Sequence, residues 1–95
     1  MDVAYQISLI TGAAKDYQDG LMSLHTLIHK VEGLLAVIED DALSDKLSDA
    51  VFALEVVNAH ADISGYDFEA NGRSIVERAV QEIIAKTEAY SRSAD

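Results

Sequence analysis

Ninety-five residues supply one domain with one modest core and leave no room for a second lobe. Apolar residues at 49% and charged residues at 25% argue against an unfolded chain, and the absence of cysteine excludes a disulfide scaffold, a thiolate nucleophile and cysteine-ligated metal. The formal charge of −10 repels phosphate backbones and anionic lipids, which disfavours nucleic-acid and membrane-surface roles and favours a basic protein partner.

With no proline and few glycines, little interrupts helical hydrogen bonding. The spacing predicts an all-α fold: an antiparallel up-down-up-down bundle of about four helices in a single domain over residues 1–95. In the first helix Val3, Ile7, Ile10, Ala14 and Tyr17 recur at steps of three and four, with Asp2 as N-cap and Gly20 as stop. Gly12 inside it is expected to mark a close helix–helix contact. The second helix follows Ser23 as N-cap and places Leu24, Leu27, Ile28, Val31, Leu34, Leu35 and Ile38 on one stripe. It ends at Glu39-Asp40-Asp41, where Asp41 is expected to cap the third helix.

The third helix carries Leu43, Leu47, Ala50, Val51, Leu54, Val57, Asn58 and Ala61 on its core face, then runs out between Asp62 and Gly65. Ser64 to Asp67 reads as a turn. Ser74-Ile75-Val76-Glu77 matches a capping box and predicts the start of the fourth helix, whose stripe is Ile75, Val76, Ala79, Val80, Ile83, Ile84, Thr87 and Tyr90. The start of the chain lacks a basic, apolar leader and no apolar run nears the ~20 residues that span a bilayer, so the expected location is the cytoplasm.

Catalytic chemistry has little to build on. His25 and His29 share a helix face, a spacing that can chelate a metal, but sequence places no third ligand and both fall on the solvent side. Asn71-Gly72-Arg73-Ser74 precedes a helix without forming a glycine-rich phosphate loop. The expectation is a non-enzyme with no cofactor, no metal and no catalytic residue.

The informative surface is the back of the third helix. At about 100° per residue, Phe52 and Val56 fall opposite the core stripe, beside Asp45, Asp49, Ala59 and His60. An aromatic ringed by carboxylates suits a protein-binding hot spot for a basic partner. The expected partner-binding residues are Glu39, Asp40, Asp41, Asp45, Asp49, Phe52, Val56 and His60. Two placements are open at this point: either this face meets solvent, or neighbouring helices cover Phe52 and Val56. Asn58 falls on the core stripe, where a buried amide needs a partner such as Glu55, Tyr5 or Tyr17.

The run Tyr17 to Gly20, Ser23-Leu24, Leu27-Ile28, Val31-Glu32-Gly33-Leu34-Leu35, Ile38-Glu39-Asp40, Leu54-Glu55-Val56-Val57-Asn58-Ala59 and Asp62 to Gly65 resembles small helical bacterial immunity proteins. These are similar to the immunity proteins of contact-dependent growth inhibition systems, and the resemblance spans roughly residues 5–90. A bulky aromatic belongs near Val51 in that pattern, and Phe52 stands next to it. The resemblance implies neutralisation of a cognate toxin domain, often a nuclease, by covering its active site. The competing expectation is a helical adaptor or chaperone-like assembly protein acting through self-association. Monomer and homodimer both stay open.

Overall fold

The computed structural model describes residues 3–61 and 63–93; Asp2 and Asp62 lie outside them. The described residues form five helices and no strand: α1 (Val3–Gln18), α2 (Leu24–Val37), α3 (Asp41–Ala61), α4 (Phe68–Asn71) and α5 (Arg73–Ser93). Each long helix starts and stops for local reasons. Gly20 takes a positive φ of 78°, its N–H reaches the Tyr17 carbonyl, and the Leu21 N–H reaches the Asp16 carbonyl. That left-handed exit satisfies carbonyls at the end of α1, and only glycine adopts it without a steric cost. Ser23 caps α2 by accepting the Thr26 N–H at 3.1 Å.

The four long helices close a ring of contacts in which α1 and α3 each pack against both α2 and α5. Ile7, Ile10, Leu27, Val31, Leu47, Leu54, Val80 and Ile83 interlock at its centre, all essentially sealed from solvent. The result is an elongated body of 46 × 22 × 19 Å. One polar contact crosses the interior. The Thr87 hydroxyl donates to its own helix at the Ile83 carbonyl (2.8 Å) and accepts from the Thr11 hydroxyl at 2.6 Å. No buried polar side-chain atom among the described residues lacks a partner.

Four expectations about this frame need correction. Gly12 marks no close contact, since a Cβ there would meet nothing within 4 Å. Ala61 is exposed at the end of α3, and Asn58 is half-buried at the edge of the stripe rather than inside it. The helical start signal near Ser74 is not used either. Asp67 caps a single turn, α4, by accepting the Ala70 N–H at 3.2 Å, and α5 begins at Arg73, before the serine. The ladder had already been started seven residues earlier, so Ser74 sits inside the first turn. Arg73 straddles the junction, pairing with Glu69 at 2.7 Å and Glu77 at 3.1 Å.

Gly72 makes this junction possible. Its φ of −113° is open to any residue, but it is buried, and a Cβ would lie 2.6 Å from Tyr66 Oη and 2.9 Å from Val57 Cγ1. The cause is close approach, not backbone strain. Gly72→Ala is therefore expected to destabilise the chain by roughly 1–3 kcal/mol, read as a lowered thermal midpoint. An unchanged midpoint would mean that Tyr66 swings aside freely.

Candidate functional site

The corner before α3 is structural. Asp40, not Asp41, is the cap: its Oδ1 accepts the Leu43 N–H at 3.0 Å and its carbonyl accepts the Ser44 N–H at 3.0 Å. The helix begins one residue earlier than expected because α2 stops at Val37 and the extended Ile38 turns the chain at once. The same carboxylate accepts the Tyr90 hydroxyl from the far end of α5. Asp40 is thus occupied by its own fold, whereas Glu39 and Asp41 are exposed.

The Leu43 N–H, followed by the Tyr90 hydroxyl, holds the Asp40 carboxyl below the usual carboxylate range. A depressed folded pKa adds stability that is fully present above the unfolded value of about 4 and is lost as pH falls through the lower folded value. Asp40→Ala should lower the thermal midpoint by roughly 5 °C at pH 7. That gap should narrow as pH falls through the depressed folded pKa and the wild-type carboxyl takes up its proton. Melts recorded by circular dichroism between pH 7 and pH 2.5 check both parts.

Beyond the cap, Asp41, Asp45 and Asp49 follow at intervals of four, so they stand in one column about 12 Å long. All three are exposed. The ion pairs of the described residues lie elsewhere: Lys15–Glu88, Arg73 with Glu69 and Glu77, and Lys86–Glu82, every one on α5 or between α5 and a neighbour. None of the three α3 carboxylates is in an ion pair, with Lys46 beside Asp45 in sequence and Arg78 lining the same trough as Asp49 as the nearby cations.

The column leads directly into apolar surface. Phe52 is 65% exposed and Val56 is half-buried one turn further on. The ring of helices explains why: α3 has neighbours on two sides, α2 and α5, and its back meets solvent. Of the two placements left open by sequence, the exposed one is therefore observed for Phe52. His60 is also exposed, with its ring centroid 5.8 Å from that of Tyr66, and it lies two turns beyond Phe52. It closes the far end of the face rather than joining the acids.

Sequence reasoning missed one edge of this face. A trough of about 230 Å³ runs between α3 and α5, with Ala50, Ala53 and Ala79 among its lining and Asp49, Ile75, Arg78 and Glu82 around them. Ile75, assigned to the core stripe, is 46% exposed here. The signal was available, because Ile75 lies about 100° from Val76 and further still from Ile84, outside the centre of the α5 stripe.

Elsewhere the chemistry is sparse. His25 and His29 are exposed and meet edge to face at 4.3 Å. Among the described residues, no group of three or more histidine or acidic side chains is placed to hold a metal ion. A larger groove of about 670 Å³ lies between the end of α1, α4 and α5, lined by Tyr17, Met22, Phe68, Val76 and Val80. Its cation, Arg73, is already engaged by two carboxylates. Burial and then Glu77 raise the Tyr17 phenol there, with Arg73 opposing. No described helix is long and apolar enough to cross a membrane. Comparison of the chain with protein-family models, curated proteins and solved structures finds no match.

Proposed function

We propose that this chain is a protein-binding domain, not an enzyme, which docks a basic partner on the back of α3. In its specific form the reading is an immunity protein that covers the active site of a cognate toxin domain, with a nuclease the class best suited. The observation that carries it is the exposed column Asp41-Asp45-Asp49, none of it in an ion pair, running into exposed Phe52, while the ion pairs gather around α5. A nuclease site is positive because it must hold phosphates, so a carboxylate column can occupy it in competition with substrate. The apolar centre supplies affinity and the charge supplies selection and speed of encounter. Glu39 and His60 form the rim, and Asp40 supports the face from beneath by fixing the start of α3.

The supporting frame is read as an up-down-up-down antiparallel bundle. Thr11 pairs with Thr87 and Gln18 with Gln81, so the residue numbers rise on α1 as they fall on α5. Self-association through the same face is the weaker reading, because it would set three unpaired aspartates of one copy against three of another.

The test uses a panel of basic nuclease domains, led by any toxin domain encoded immediately beside this chain's own gene. Co-expression should relieve toxicity, and light scattering should show a 1:1 complex. Its association rate should fall at least about tenfold between 50 and 500 mM salt. A complex whose association ignores salt would remove the role assigned to the acidic column. No complex with any domain of the panel would remove the immunity reading.

A further inference from the structure

We propose that the trough between α3 and α5 is a socket for one branched aliphatic side chain of the basic partner, presented in a segment where lysine or arginine flanks it. The inference rests on the docking reading of α3 and adds what the partner must carry. Size decides the class of occupant. About 230 Å³ admits a single side chain and falls short of the 300–1,000 Å³ that small-molecule sites offer. The lining decides its polarity: half-buried Ala53 and exposed Ile75 present the apolar surface over the nearly sealed Ala50 and Ala79, and Asp49, Ser74, Arg78 and Glu82 supply the polar remainder.

Charge decides what flanks the occupant. Glu82 at the mouth is tied to Lys86 at 2.7 Å, but Asp49 is in no ion pair and continues into Asp45 and Asp41. Arg78 stands in the α5 wall, and its cation disfavours an arginine within the trough itself. The aliphatic side chain therefore enters the trough while its basic neighbours lie along the aspartate column. Phe52, outside the trough's lining, follows Asp49 by three residues and so shares its side of α3. A second copy of this chain would bring aspartates to that column and fits it poorly.

The experiment titrates the full chain, labelled for amide and methyl NMR, with two synthetic peptides: seven lysines, and the same peptide with leucine in the centre. Both should shift the amides of Asp41, Asp45 and Asp49. Only the leucine peptide should shift the methyls of Ala53, Ile75 and Ala79, with an affinity about fivefold higher at 150 mM salt. Ala53→Leu, which fills the trough, should abolish that advantage and leave heptalysine binding intact. Ile75→Ser, at an exposed position, should weaken the leucine peptide alone and serves if the first variant does not fold. Leucine-dependent shifts at Phe68, Val76 and Val80 instead, or no leucine-dependent gain, would overturn the socket and leave the α3 face standing. Binding of neither peptide would overturn both.

Discussion

Replacing Leu54 with alanine should cost roughly 2–5 kcal/mol, the largest loss expected from any single truncation discussed for this chain. Leu54 is 0% exposed and belongs to the cluster that joins α3 to its two neighbours. The loss combines the transfer free energy of the removed methyl groups with a void that tightly packed helices relax only in part. A domain of this size has total stability on the order of 5–14 kcal/mol. The variant should therefore melt at least ~10 °C lower. Chemical denaturation, fitted for midpoint and slope, checks it. A midpoint within error of the parent would mean that the core collapses freely around position 54.

Two residues earlier the expectation reverses. Phe52→Ala should leave the melting midpoint within about 2 °C of the parent, because Phe52 is 65% exposed and the variant opens no interior void. Its effect should appear in binding. An aromatic anchor at the centre of a docking face is worth on the order of 2 kcal/mol, so the dissociation constant for the basic partner should rise roughly 30-fold, mostly through faster dissociation. Asp45→Lys separates anchor from charge. It places a lysine four residues from both Asp41 and Asp49, which should stabilise the helix by about 0.2–0.5 kcal/mol for each pair. At the same time it should slow association and flatten its salt dependence. A variant that gains stability while losing its partner is hard to attribute to misfolding. If Phe52→Ala instead melts as early as Leu54→Ala, the back of α3 is packed against something and the docking reading fails.

How much of this was legible beforehand differs from element to element. The core stripe of α3 from Leu43 to Val57 could be read directly, because six apolar residues at helical spacing admit one buried side. The Ser23 cap and the Gly20 exit were equally plain, since each depends on a few adjacent atoms. Boundaries that depend on competition were not. Asp40 and Asp41 are chemically identical caps, and the choice between them rests on where α2 releases the chain and on where the Tyr90 hydroxyl arrives. Ser74 carries a sound capping pattern, but Asp67 starts a helical turn first and Gly72 lets it run on against Tyr66 and Val57.

Composition and periodicity alone were enough to determine an all-helical chain, acidic overall, with the back of α3 carrying Asp45, Asp49, Phe52 and Val56 together. That face follows from a rotation of about 100° per residue, which is a local property of the backbone. Whether it meets water was decided only by the tertiary structure. Closing the ring through α1–α5 and α3–α5 contacts leaves no helix to cover Phe52, turns Ile75 outward, and opens the alanine-lined trough beside Asp49. A helix wheel describes one helix at a time, and exposure is a property of its neighbours.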